Sequence, residues 1–174
     1  MSTFNELDTV VFNTKLKPFA HDTILGLFRP KYGEMAIQPS LPFLDKECGI
    51  DITLQCKTTG ASFTVQEKYR KHSALQYNDF TQEYMNGDQD GKPQQGEWFH
   101  LYANYYFYGW SNAAENVFEK WFLMDITGYK FIVMKLGGLD KIGKLNKNDK
   151  HGRATFYSIP LSIIEPAMIA KSWK

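Results

Sequence analysis

The fold is decided by one stretch of the chain, residues 49–70, which reads GIDITLQCKTTGASFTVQEKYR. In each half, apolar and polar side chains alternate as they do in strands of a half-buried sheet. A turn that contains a glycine, at residues 57–61, separates the two halves. The sequence therefore predicts a β-hairpin with strands at about 48–56 and 62–70.

Four residues of this hairpin carry groups suited to metal chemistry. Side chains alternate along a strand, so Gln66 and Lys68 share one face and Glu67 lies on the other. We expect Asp51 on the first strand to face Gln66 and Lys68. Carboxylate and amide oxygens are hard ligands for Mg²⁺ or Mn²⁺, and the Glu67 backbone carbonyl and waters would complete an octahedron. Lys68 would orient or deprotonate the attacking water, or stabilise the charge that builds on a phosphate.

These residues resemble the core of the PD-(D/E)XK, or restriction-endonuclease-like, superfamily. The likeness is carried by GIDI at 49–52 and VQEKYR at 65–70, and it covers roughly residues 18–70. It is similar to the Gln-x-Lys branch, which includes Mrr-like restriction enzymes, and archaeal Holliday-junction resolvases have a similar core. The resemblance implies a mixed β-sheet flanked by helices, a Mg²⁺ (or Mn²⁺) cofactor and an active site built on the hairpin.

The chain departs from the superfamily pattern in two ways. Ile50 stands where a proline often precedes the aspartate, and Gln66 stands where an acid is usual. The metal site therefore lacks one negative charge. In the resolvase-like members a glutamate on the first helix supplies such a charge, and the nearest equivalents here are Asp22 and Glu34. By its spacing, Asp22 is the expected metal ligand.

The rest of the chain predicts one α/β or α+β domain over residues 1–174, with a mixed sheet flanked by helices. A first helix is expected to begin at Pro18 and to end at Pro30 and Gly33. The other predicted elements are a short strand at 35–37, strands at 81–84, 99–108, 120–126 and 155–164, a helix at 128–139, and a tail helix after Pro166.

Composition bounds the function only loosely. The chain has 174 residues and a net charge of +1, so attraction to nucleic acid would come from local patches. Two cysteines, Cys48 and Cys56, are too few for a disulfide framework and favour a reducing compartment. The N-terminus lacks the pattern of a signal peptide and no window approaches the roughly 18 apolar residues of a spanning helix. A cytoplasmic location is expected, which is the host cytoplasm if a phage encodes the protein.

Basic and aromatic residues outside the hairpin have two interpretations each. The cations proposed to contact a nucleic-acid backbone are Arg70, Lys71, Lys144, Lys147, Lys150 and Arg153. Runs of charge are also typical of a solvated surface. The aromatic run at 98–110 would pack in the core or stack on unpaired bases, and packing is favoured. His21 and His72 are expected close to the proposed site, but packing or surface roles are commonest for single histidines.

The leading hypothesis is a metal-dependent DNA endonuclease of phage or mobile-element type. Because no sequence-reading module is present, we expect selection by DNA structure, as in a resolvase-like enzyme acting on duplex or branched DNA. Cutting both strands needs two active sites, so a homodimer is expected. The alternatives are a non-catalytic nucleic-acid-binding or assembly module that keeps the nuclease fold, and a purely structural protein that oligomerises through its aromatic strand.

Overall fold

One long helix, α1, opens the described part of the chain. The computed structural model describes residues 3–87, 92–148 and 154–174. Helix α1 spans Thr3–Tyr32, so the prediction of a helix beginning at Pro18 is wrong. Proline inside a helix costs roughly 3 kcal/mol of stability. Pro18 lies on the exposed side of α1. The opposite side buries a stripe at every fourth position, which favours one continuous helix: Phe12, Leu16, Ala20, Ile24 and Phe28.

A six-stranded mixed sheet forms the centre of the protein. Its strands, in spatial order, are β1 (Met35–Pro39), β2 (Ile52–Cys56), β3 (Ser62–Arg70), β6 (Tyr105–Ser111), β7 (Phe118–Asp125) and β10 (Met168–Lys171). All neighbouring pairs are antiparallel except β3 and β6, which run parallel. The predicted hairpin is confirmed: Ile52 pairs with Val65 and Leu54 pairs with Phe63.

The connection between the two parallel strands contributes much of the second layer. It contains the 3₁₀ helix His72–Tyr77, strands β4 (Asp79–Gly87) and β5 (Pro93–Gln95), and the short helix α3 (Glu97–His100). Strands β4 and β5 join β8 (Lys144–Lys147) and β9 (Thr155–Pro160) in a four-stranded sheet of order β5-β4-β9-β8. The other helices are α2 (Pro42–Cys48), α4 (Ile126–Lys135), α5 (Leu139–Ile142), α6 (Leu161–Ile164) and the 3₁₀ helix Glu165–Ala167. The fold is thus mixed α+β, with a mixed sheet flanked by helices, as predicted.

Each face of the six-stranded sheet has its own apolar core. On one face the later part of the α1 stripe packs with Val65, Phe107 and Leu123, through Ala20, Ile24 and Phe28. On the other, Tyr106 and Tyr108 pack with Phe80 of the second sheet and with residues of α4. Strand β6 is therefore aromatic because both of its faces are buried, which confirms the packing interpretation for this part of the aromatic run. Tyr102, in the same run, is exposed.

Three more predicted elements differ from the structure. The first half of the expected strand 99–108 is the helix α3 and a loop, and β6 begins only at Tyr105. The expected strand 155–164 ends at Pro160, after which the helix α6 begins. The expected tail helix after Pro166 is instead strand β10, where pairing with β7 decides the conformation. No helix within the three described ranges is long and apolar enough to cross a membrane.

Candidate functional site

A turn at Gly49 places Asp51 at the start of the hairpin. Helix α2 ends at Gly49, which has the left-handed φ of 56°. A Cβ atom at this position would lie 3.0 Å from the carbonyl oxygen of His100 and 3.3 Å from Oε1 of Gln66. Both the backbone angle and the crowding favour glycine. The turn thus brings α2, α3 and β3 together directly before Asp51.

Asp51 is bound to the backbone of β3. Its Oδ2 accepts a hydrogen bond of 2.7 Å from the N–H of Glu67, the residue between Gln66 and Lys68. Burial, and then the charges of Glu67 and Asp45, raise the pKa of Asp51 to about 7, although that hydrogen bond opposes the shift. Burial disfavours the charged carboxylate, and the smaller effect of the Glu67 and Asp45 charges favours a proton or another positive charge beside it.

Lys68 is held as a cation by Glu97, the first residue of α3. Its Nζ lies 3.3 Å from Oε2 of Glu97 and 3.4 Å from the carbonyl oxygen of Thr81. Burial alone would lower the pKa of Lys68, but the charge of Glu97, with smaller effects of Tyr108 and Glu83, leaves it raised. Lys68 is therefore protonated at neutral pH, and it can donate hydrogen bonds or stabilise negative charge but cannot act as a base.

Glu97 itself is fixed by three donors. Besides Lys68, the hydroxyl of Tyr106 donates to Oε1 and the amide of Gln82 donates to Oε2 at 3.1 Å. The sequence analysis missed Glu97 because it lies 29 residues from Lys68 and beyond a polar loop. The only local signal was its position as the single acid between that loop and the aromatic run.

Gln66 and Lys68 line a cavity of about 590 Å³ between the hairpin, α2, α3 and the β4–β5 pair. We call it the acidic cavity, because among the described residues that line it four carboxylates besides that of Glu67 face two lysines: Asp45, Glu47, Glu83 and Glu97 against Lys46 and Lys68. Oε1 of Gln66 is buried and has no hydrogen-bond partner among the described residues. A buried acceptor without a donor indicates a site that a cation or water completes.

Glu67 points away from Gln66 and Lys68, as the alternation of the strand predicts. Its carboxylate is 2% exposed and lies 3.4 Å from Nε2 of His21 on α1. Burial and the charge of Glu67 also raise the pKa of the neighbouring Tyr69. The side chain of Glu67 thus ties α1 to β3, and only its backbone lies next to the Asp51 carboxylate.

The additional acids expected from the sequence lie elsewhere. Asp22 is exposed on α1, and its position six residues after the buried Leu16 turns it away from the sheet. Glu34 is exposed and pairs with Lys57. The structure brings neither residue to Asp51, whereas Glu97 lines the cavity beside Gln66. His72 pairs with Glu119 at 3.0 Å, and His100 lines the acidic cavity.

The proposed nucleic-acid contacts fall into four groups. Nη1 of Arg70 donates to the side-chain oxygens of Thr81 and Tyr108 at 2.7 and 2.8 Å, so one edge of its guanidinium points inward. Lys71 is exposed and lies 3.7 Å from Glu115. Lys144 and Lys147 are exposed on β8, the edge of the second sheet farthest from β5. Lys150 and Arg153 lie outside the described residues.

The donor set fits a hard cation only in part. Gln66 and Glu97 line the acidic cavity and offer an amide oxygen and a carboxylate, whereas Asp51 is not among its lining residues. The Asp51 carboxylate is placed only by its bond to the Glu67 amide. Across residues 3–87, 92–148 and 154–174, no three His, Cys, Asp or Glu side chains are grouped closely enough to hold a metal ion. A metal here would therefore depend on the Gln66 amide, backbone oxygen and water.

Comparison with protein-family models, with curated proteins and with solved structures gives no match.

Proposed function

We propose that the protein is a metal-dependent endonuclease that hydrolyses phosphodiester bonds in DNA. The observation that carries the proposal is the pairing of unlike groups on two adjacent strands. Lys68 is fixed as a cation, and the Asp51 carboxyl, with a pKa of about 7, is bound to the backbone amide next to it. Its support from sequence is the Asp51…Gln66-x-Lys68 motif and its resemblance to restriction-endonuclease-like enzymes. The order of strands around the hairpin is compatible with a core of that kind.

Each residue has a separate role in this proposal. Asp51, the Gln66 amide and the Glu67 backbone carbonyl would hold Mg²⁺ or Mn²⁺, with Glu97 as the additional acid. When bound, the metal supplies Lewis-acid activation of the phosphate and of water. Lys68 donates to a non-bridging phosphate oxygen and stabilises its growing charge. The water oxygen forms the new P–O bond, the bond to the leaving nucleoside oxygen breaks, and the proton of the water passes to that oxygen or to solvent.

A second candidate function is a nucleic-acid-binding or assembly module without turnover. It is favoured by the acid-poor ligand set, in which an amide stands where a carboxylate would bind a metal more strongly. In that case Glu97 and Lys68 form a structural ion pair and Asp51 serves as an acceptor for the β3 backbone. A homodimer and selection by DNA structure remain proposals that belong to the enzyme hypothesis.

A nicking assay on supercoiled plasmid and on branched DNA, with Mg²⁺ or Mn²⁺, separates the two functions. We expect cleavage by the unaltered protein and a loss of roughly 100-fold or more in Asp51→Asn and in Lys68→Met. Asp22→Asn is the matched control, because it removes an equal charge on the far side of α1 and should leave cleavage unchanged. Absence of metal-dependent cleavage by the unaltered protein rejects the nuclease proposal.

A further inference from the structure

A second cavity, of about 540 Å³, adjoins the acidic cavity and has the opposite charge. It lies between β3, the N-terminal half of α1 and the 3₁₀ helix His72–Tyr77, and it shares Glu67 and Lys68 with the acidic cavity. Among the described residues that line it are three cations, Lys68, Arg70 and Lys71, and the ammonium of Lys68 is paired with Glu97. The one acid among these lining residues is Glu67, whose carboxylate is buried against His21. We call it the basic cavity.

The cations of the basic cavity are held in two different ways. Arg70 is anchored through Nη1 to Thr81 and Tyr108, which are 5% and 0% exposed, so its charge is fixed in place. Lys71 is a surface cation whose pair with Glu115 is long, at 3.7 Å. Exposed pairs of this kind contribute little, so Lys71 can exchange Glu115 for another anion at small cost. Asn13 and Ser73 add an amide and a hydroxyl group to the lining.

An aromatic ring stands at the end of the same cavity. Tyr77 closes the 3₁₀ helix, lines the cavity and is 65% exposed. Large exposed aromatic side chains next to fixed cations are the combination with which proteins bind single-stranded nucleic acid. The cations hold the phosphate, and the ring stacks on a base that has no pairing partner. A base in a duplex presents no free face to such a ring.

We infer that the basic cavity binds one unpaired nucleotide of single-stranded DNA, with its phosphate at Lys71 and Arg70 and its base on Tyr77. From the basic cavity, the DNA strand would continue past Lys68 and place its next phosphodiester in the acidic cavity. This second step rests on the proposed function. The substrate is then a single strand or the single-stranded arm of a branched molecule. Continuous duplex is the disfavoured ligand.

Binding without cleavage tests the subsite directly. The probe is a fluorescein-labelled oligothymidylate of about 12 nucleotides, compared with the same strand annealed to its complement, by fluorescence anisotropy in EDTA. We expect the single strand to bind more tightly. Tyr77→Ala should weaken it by about five- to one-hundredfold, and Tyr77→Phe, which keeps the ring, should not. Lys71→Ala should reduce the slope of log K against log salt by about 0.7.

Two control variants match the tested residues in exposure. Tyr102 is 64% exposed and lines neither cavity, so Tyr102→Ala should leave binding unchanged. Lys57 is as exposed as Lys71, with side chains 54% and 58% exposed, and it is also paired with a glutamate, so Lys57→Ala controls for charge. Circular dichroism at the assay temperature confirms that each variant is folded.

The outcomes distinguish this inference from the nuclease proposal. Equal or tighter binding of the duplex, or equal losses in Tyr77→Ala and Tyr102→Ala, overturns the subsite whether or not the protein cuts DNA. Selective loss in Tyr77→Ala and Lys71→Ala supports the subsite even if no cleavage is found. In that event the protein is a single-strand binder, and only the enzyme hypothesis fails.

Discussion

The two cavities beside β3 are both lined by Glu67 and Lys68, but they differ in the sign of their charge. The acidic cavity takes its charge from α2, α3 and β4, and its one fixed cation is neutralised by Glu97. The basic cavity takes its charge from the end of β3, where Arg70 and Lys71 follow Lys68 in the same run of sequence. One strand thus carries groups for a cation at its middle and for an anion at its end.

This difference in charge favours separate roles for the two cavities along β3. A phosphodiester is an anion and would be repelled by the carboxylates of the acidic cavity unless a cation came with it. The basic cavity can attract a phosphodiester without an added cation. We therefore expect DNA binding without metal to depend on the basic cavity, and cleavage with metal to depend on the acidic one.

Beyond the Asp51 and Lys68 variants, the largest effect is expected from Glu97→Gln. The variant leaves Lys68 without its counter-charge, so burial lowers the pKa of Lys68, and it removes the additional acid from the proposed metal site. Cleavage at saturating Mg²⁺ should fall roughly 100-fold, while affinity for single-stranded DNA in EDTA stays the same. Glu47→Gln is the control, because Glu47 lines the same cavity without contacting Lys68. Equal losses in the two variants would contradict a specific role for Glu97.

An effect of comparable size is expected in the pH dependence of stability. The folded-state pKa of Asp51 is raised from 3.8 to about 7, so the folded protein binds this proton more tightly than the unfolded chain. The free energy of unfolding should therefore fall as pH rises from about 4 to about 7, by on the order of 3 kcal/mol from this group. Urea denaturation at a series of pH values measures it.

Asp51→Asn is the matching variant for that titration. It keeps the acceptor for the Glu67 amide and cannot lose a proton, so this part of the pH dependence should disappear. At pH 8 the variant should be at least as stable as the unaltered protein when metal is absent. Unchanged pH dependence in Asp51→Asn would show that another group causes it.

The smallest effect is expected from a methyl group at Gly49. Both Gly49→Ala and Gly60→Ala place a side chain at a positive φ, which costs about 1 kcal/mol. At Gly60 the added Cβ meets nothing within 4 Å, whereas at Gly49 it crowds His100 and the Gln66 amide. Gly49→Ala should therefore be the less stable variant by roughly 1 kcal/mol and should also lower cleavage. Equal stability and activity of the two variants would argue against a tightly packed Gln66.

The hairpin and the alternation of side chains along β3 were predictable from sequence, because the signal is local. Alternation with period two separates Gln66 and Lys68 from Glu67, and the register of β2 on β3 follows from burying Ile52 and Leu54. The mixed sheet also follows from the pattern of elements. The alternation and the hairpin register depend on residues that lie close together in the sequence.

The rest depends on contacts that a single sequence does not show. Glu97 meets Lys68 only because the crossover from β3 to β6 folds α3 back over the hairpin. Helix α1 runs through Pro18 because its buried stripe outweighs a local helix-breaking preference. Asp22 was chosen by spacing, and the position of that stripe turns it outward. The sequence does not indicate Tyr77 as a binding residue, because an exposed tyrosine points to a binding site only when the structure places cations near it.

The most direct test of the central claim is the position of a bound metal. A crystal of the protein grown or soaked with Mn²⁺ locates the ion by its anomalous scattering. The account predicts one ion within roughly 2–2.5 Å of the Asp51 carboxylate and of Oε1 of Gln66, and its absence in Asp51→Asn. Mn²⁺ bound only at Asp45 and Glu47 on the rim, or no bound Mn²⁺ at all, would contradict a metal-dependent site on this hairpin.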